Sequence, residues 1–151
     1  MNIIFSHKKY LKSLILILCI SFLSLSEISF AQKRVSPANI KGTTKITAEE
    51  LVQHVEQTHG IIIIDSRIST DRTHGYIEGS LSLPDDNTRC STLSKIISKK
   101  NSPVIFYCNG PKCGRSAVAV KIAIQCGYTN TFWFRGGIEE WKKNNYPLIT
   151  D

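Results

Sequence analysis

Two stretches of this chain leave little room for alternatives. Residues 61–65 (IIIID) and 103–108 (PVIFYC) are apolar almost without interruption. Neither has the in–out alternation of a strand with one wet face. Short, β-branched runs of this kind belong to strands buried on both faces of a parallel sheet. A parallel sheet needs crossovers, and the flanking segments supply them. Thr47 with Glu50 is a capping-box signature ahead of the stripe Leu51, Val52, Val55, which predicts a helix ending at Gly60. Residues 80–84 (SLSLP) predict a short strand closed by Pro84, and residues 88–100 a helix. Residues 115–128 predict an Ala-rich helix stopped by Gly127, 131–134 (TFWF) a strand, and 137–145 a short final helix. Strands separated by helices make βαβ units, the signature of the α/β class. At 151 residues, 42% hydrophobic and without an internal repeat, the chain has room for one such domain.

The N-terminus has a different character. Lys8, Lys9 and Lys12 precede the apolar run 14–25 (LILILCISFLSL), and SEISFA follows, with Ser29 and Ala31 two apart. This order is that of a secretory signal, with cleavage expected after Ala31. The run falls short of the roughly 20 residues that span a bilayer. The alternative is an uncleaved N-terminal membrane anchor, since residues 13–31 are mostly apolar apart from Glu27. Cys19 follows Leu18, where a lipid-attachment site has a small residue. The expected location is therefore periplasmic or secreted, with membrane contact only through the signal before cleavage. Residues 32–45 (QKRVSPANIKGTTK) read as a polar arm and residues 46–150 as the folded domain. The full chain carries 19 basic and 12 acidic side chains, and removing the signal lowers the net charge from +7 to +5. The remaining bases are scattered, apart from Lys99–Lys100 and Lys142–Lys143, which suit solvated helix ends. No basic cluster is interleaved with aromatics, so nucleic acid is not an expected partner.

In open α/β sheets ligands bind at the carboxyl ends of the strands. The loop after strand 103–107 reads Cys108-Asn109-Gly110-Pro111-Lys112-Cys113-Gly114-Arg115 and leads into a helix N-terminus. Several influences there lower the pKa of a thiol together: unpaired backbone amides, the positive helix end, Lys112 and Arg115. Gly110 and Gly114 let the backbone curl so that its amides converge on one anionic centre. Cys108 is the expected nucleophile and residues 109–115 its substrate-binding loop. Cys113, five residues on, lies within reach of Cys108. The C-x4-C spacing is not a zinc signature, and neither metal nor cofactor is expected. Cys126, on an apolar helix, reads as a buried bystander, and Cys90, at a helix start, carries no signal.

Four segments occur together in order: IDSR (64–67) with Asp71 beyond it, GYIEGSLSLP (75–84), YCNGPKCGRSA (107–117) and WFRGGIEEWKKNNYPL (133–148). From about Ile46 to Leu148 the chain resembles a single-domain rhodanese, of the sulfurtransferase family. The resemblance implies a rhodanese-like three-layer α/β fold, with a central, mainly parallel five-stranded sheet flanked by helices. It also implies that Cys108 accepts a sulfane sulfur as a persulfide and passes it to a thiol or other nucleophile. The amides of 109–114 and the following helix would cradle the terminal sulfur, and Arg115 would close the loop with a cation. Asp65 and Arg67 match a motif that is mainly structural. The partners implied are a small sulfur donor, a thiol acceptor and a periplasmic thiol reductant or redox protein.

The chain also departs from the pattern. Six residues separate Cys108 from Arg115, where the common rhodanese loop has four and the cysteine phosphatases have five. The familiar Gly-His-Ile is Gly75-Tyr76-Ile77 here, with His74 displaced. The longer loop enlarges the pocket and leaves thiosulfate open as a donor. Cys113 could resolve a Cys108 persulfide, or protect Cys108 by oxidation in the export compartment. Two further function classes stay open: a thiol–disulfide redox protein using Cys108 and Cys113, and a non-catalytic interaction module on the same fold.

Overall fold

The computed structural model describes residues 36–150, so the expected signal at 1–31 and the start of the polar arm lie outside the described residues. Five strands form one sheet: β1 (Thr44–Ile46), β2 (Ile62–Asp65), β3 (Ser80–Ser82), β4 (Val104–Tyr107) and β5 (Thr131–Phe134). Their spatial order is β1-β5-β4-β2-β3, and every neighbouring pair is parallel. The helices are α1 (Ala48–Gln57), α2 (Ser69–Arg72), α3 (Cys90–Ile96), α4 (Arg115–Gln125) and α5 (Gly137–Lys143). One antiparallel bridge, Tyr76 to Ile149, fastens the C-terminal segment outside the main ladder.

The unbroken apolar runs occupy the centre of this sheet because each face has its own helical cover. Ile64, Phe106 and Trp133 pack on one side with Leu93 of α3 and Ala117, Val120 and Ala123 of α4. Ile63, Ile105, Tyr107 and Phe134 pack on the other with Leu51 of α1 and Ile138 and Trp141 of α5. Successive side chains alternate between two dry faces, so a period-two hydropathy pattern cannot arise. Burying each large apolar side chain contributes roughly 1.5–3 kcal/mol, which concentrates stability in β2, β4 and β5.

The capping box at α1 is formed: Thr47 Oγ1 accepts from the Glu50 amide at 3.2 Å, and Glu50 Oε2 accepts from the Thr47 amide at 2.7 Å. The helix runs only to Gln57, short of Gly60. The helix expected over 88–100 is shorter too: a 3-10 turn (Asp85–Asn87) precedes α3, which stops at Ile96. The polar arm is not wholly an arm. Thr44, Lys45 and Ile46 pair with Phe132, Trp133 and Phe134 as an edge strand. Thr43 Oγ1 donates to the Thr131 carbonyl at 2.8 Å and extends the pairing. Only Ile46 of this strand is buried, so no apolar run announces it.

Cys90 and Cys126 are not bystanders. They form a disulfide with a Cα–Cα distance of 5.4 Å, joining the first residue of α3 to the C-cap of α4. The two half-cystines lie 36 residues apart, and packing of α3 on α4 across the same sheet face brings them together. Loop closure of this length is worth roughly 3–4 kcal/mol in the chain-entropy description. The double variant Cys90→Ser/Cys126→Ser is therefore expected to lose about that much stability relative to the oxidised protein. Urea denaturation without reductant measures it; an unchanged midpoint would show that the crosslink carries no stability.

Candidate active site

The carboxyl ends of β2 and β4 are organised by one buried carboxylate. Asp65, with no exposed surface, accepts from Arg67 Nη2 at 2.7 Å, Arg72 Nη1 at 3.1 Å and Tyr107 Oη at 2.8 Å, all on Oδ2. Its Oδ1 accepts from the Arg67 amide at 3.1 Å and from Arg67 Nε at 2.9 Å. Burial alone works against the Arg67 charge, but the hydrogen bonds and charge of Asp65 outweigh it and hold the Arg67 pKa above its ordinary value. Burial, and then the negative charge of Asp65, pushes the Tyr107 phenol well above the usual tyrosine range.

From this centre Arg67 reaches the following loop, donating to the carbonyls of Asp71 at 3.3 Å and Gly75 at 3.0 Å. Arg72 lies over the Tyr76 ring, 3.6 Å from its centroid. Tyr76, which replaces the familiar histidine, thus gives an aromatic face to a guanidinium that already holds Asp65. Asp71 Oδ2 in turn accepts from Asn109 Nδ2 at 2.8 Å. A chain of polar contacts therefore runs from the sheet core into the cysteine loop.

Cys108 follows the last residue of β4 and is 1% exposed. Its loop is held at several points that spacing alone did not reveal. The first amides of α5 donate to it: Ile138 N–H to the Cys108 carbonyl at 3.0 Å and Glu139 N–H to the Asn109 carbonyl at 2.8 Å. Gly137 makes this approach possible, because its φ is +55° and a Cβ there would fall on the Cys108 carbonyl oxygen. The Gly-Gly of WFRGG signalled this in the sequence without saying what it touched. Arg135 donates to the Pro37 carbonyl at 2.7 Å and the Pro111 carbonyl at 3.4 Å, tying the arm and the loop together. A cavity of about 200 Å³ lies on that flank, bordered by Lys45, Pro111, Arg135 and Glu140.

Cys108 and Cys113 are joined as a disulfide, with a Cα–Cα distance of 6.2 Å. The Cys113 amide donates to the Gly110 carbonyl at 2.9 Å, closing the turn that returns Cys113 over Cys108. Gly110 and Gly114 are buried, Asn109, Pro111, Cys113 and Arg115 are half-buried, and Lys112 is exposed. Gly114 caps α4 without a side chain, so the cap itself offers the amides of the first helical turn no acceptor. Arg115 does not stand as an uncommitted cation over the loop. Its Nη1 donates to Asp85 Oδ1 at 2.5 Å, and the Asp85 side chain is fully buried. Arg72, Asp85, Arg135 and Ser66 carried no individual signal in the sequence. Ser66 follows Asp65, which pairs with Tyr107, so the parallel register sets Ser66 beside Cys108. Its hydroxyl is buried and has no hydrogen-bond partner among the described residues.

A parallel, helix-covered sheet with a cysteine loop at the carboxyl end of its central strand defines a class of domain rather than one protein. The rhodanese-like domain family matches residues 47–144, and the chain belongs to that family. It is similar to a sulfurtransferase of Allochromatium vinosum, 29% identical over 105 residues that cover 70% of this chain and 94% of the relative. It is also similar to the chloroplastic rhodanese-like domain-containing protein 11 of Arabidopsis thaliana, 25% identical over 84% of this chain and 53% of that protein. Among solved structures, a protein of Bacillus halodurans superposes with a TM-score of 0.64 at 25% identity, covering 72% of this chain and 77% of that one. The thiosulfate sulfurtransferase of Pseudomonas aeruginosa shares the fold, with a TM-score of 0.62 at 19% identity, over 72% of this chain and 20% of its own.

The raised Tyr107 pKa sets a pH dependence of known sign. Above about pH 10 the unfolded tyrosine ionises while the folded one keeps its proton. The folded state then binds more protons, so stability falls as pH rises from there toward the folded value. Tyr107→Phe is expected to be less stable at neutral pH, through loss of the bond to Asp65, and to fall less steeply above pH 10. Urea midpoints at several alkaline pH values test this; equal slopes in both proteins would remove Tyr107 as the source.

Proposed function

We propose that the protein is an exported rhodanese-like sulfurtransferase that carries a sulfane sulfur on Cys108 and passes it to a thiol or another nucleophilic acceptor. The observation that carries this reading is the position of Cys108, between the central strand and a helix whose glycine cap offers its first-turn amides no side-chain acceptor. A thiolate there attacks the outer sulfur of a donor, the donor's leaving group departs with the bonding electrons, and a persulfide remains. The helix dipole and first-turn amides favour the negative terminal sulfur. Lys112 is the exposed cation of the loop, while the charge of Arg115 is largely answered by Asp85. The sulfurtransferase relative, matched along nearly its full length, supports the reaction class. Export is supported by the signal-like residues 1–31 and by two disulfides, which persist in oxidising compartments. Sulfur loading needs Cys108 reduced, so a thiol reductant of the same compartment is the expected partner.

Reduced, desalted protein is expected to release the leaving group of thiosulfate or of glutathione persulfide in proportion to Cys108. Cys108→Ser should lower that release at least about a thousandfold. Equal release by the variant would overturn the assignment of the nucleophile.

The Cys108–Cys113 bond favours a second reading, in which the pair exchanges electrons with other thiols and carries no sulfur. That function cycles the pair between two states. Differential alkylation of protein taken from its native compartment should then find both dithiol and disulfide forms; thiols that are always free would rule it out.

A further inference from the structure

We infer that Cys113 is a resolving cysteine, which makes the protein release the transferred sulfur as sulfide and couples that release to a dithiol reductant. The inference rests on the sulfur-carrying role of Cys108 and names what happens to the sulfur next.

Three observations combine. First, Cys113 lies where a bond to Cys108 forms, at a Cα–Cα distance inside the ordinary range for disulfides. Second, the loop is held in that shape by contacts that do not depend on the bond. The carbonyls of Cys108 and Asn109 are clamped by α5, Asn109 by Asp71, Pro111 by Arg135, and the Cys113 turn by the Gly110 carbonyl. Arg115, two residues beyond Cys113, is fixed to Asp85. Opening the disulfide therefore leaves the two sulfurs as neighbours. Third, Cys108 is almost fully buried, whereas Cys113 is half-buried. An external thiol must enter the loop to reach the inner sulfur, and Cys113 is already there. Orientation of this kind gives an intramolecular attack a large advantage over the same attack from solution.

The step balances. The Cys113 thiolate attacks Cys108 Sγ, the inner sulfur of the persulfide. The Sγ–S bond breaks, and its electron pair leaves with the outer sulfur, which takes up the proton given up by the Cys113 thiol and departs as hydrosulfide. The sulfane sulfur gains two electrons, and the two cysteine sulfurs lose two in becoming the observed disulfide. An external dithiol then reduces that disulfide and is itself oxidised to one. The net reaction converts a sulfane sulfur and a dithiol to sulfide and a disulfide. The substrate class is thus a small sulfane donor together with a protein or small-molecule dithiol, and the product is sulfide.

The test is a single turnover without reductant. Cys113→Ser is reduced, desalted under argon and given thiosulfate or glutathione persulfide, and the donor that loads it is then given to the wild-type protein. The variant is expected to become about 32 Da heavier on Cys108 and to release no sulfide. The wild type is expected to release one sulfide per chain and to finish with Cys108 and Cys113 joined. A wild type that keeps the adduct on Cys108, or moves it intact to Cys113, without releasing sulfide would overturn the inference and leave the sulfur-carrying role standing. If neither donor loads Cys113→Ser or yields sulfide from the wild type, the sulfur-carrying role falls and this inference falls with it.

Discussion

The geometry of the site depends on a carboxylate buried where strands end. Asp65 is fully enclosed, and an ionised carboxylate in such a place costs several kcal/mol unless it is paired and hydrogen-bonded. Two guanidinium groups, a phenol and a backbone amide supply that compensation. Because Arg67 and Arg72 must point at Asp65, the loop that carries them cannot wander. Arg67 also binds two carbonyls of that loop, and Asp71 within it holds Asn109. One side of the cysteine loop is therefore positioned by satisfying one charge in the core.

The opposite side of the loop is built differently, from backbone. Two amides of α5 meet two carbonyls at the end of β4, an approach open only to a residue without a side chain at Gly137. Clamps of this type fix position without adding charge, so the electrostatics of the site are left to the end of α4, to Lys112 and to Arg115. Asp85 answers most of the Arg115 charge. On the sulfur-carrying reading proposed above, an anion at Cys108 would therefore be held chiefly by amides.

The two disulfides serve different ends of the molecule. Cys90–Cys126 ties two helices that share a sheet face and lies away from the site loop. Cys108–Cys113 lies within that loop and engages the cysteine proposed to carry sulfur. A bond of the first kind restricts the unfolded chain. One of the second kind closes a loop of a few residues beside the candidate site.

Much of this was legible in order along the chain. The runs 61–65 and 103–108 indicated strands covered on both faces, because they leave no polar face for water, and the helical segments between strands made the sheet parallel. The glycines and cations around Cys108 marked the loop, and the four segments in order marked the family. Three features were not legible, each because it depends on partners remote in sequence. The strand Thr44–Ile46 has one buried residue, and its identity comes from pairing with β5. Cys90 meets Cys126 only after α3 and α4 pack on the same face. Arg115 looked like a free cation until the 3-10 turn delivered Asp85 to it. Local pattern and residue chemistry thus determined the class of fold and the place of the cysteine loop. Tertiary structure alone decided which cysteines pair, which cation is neutralised and what holds the loop, since those depend on distances that no linear spacing encodes.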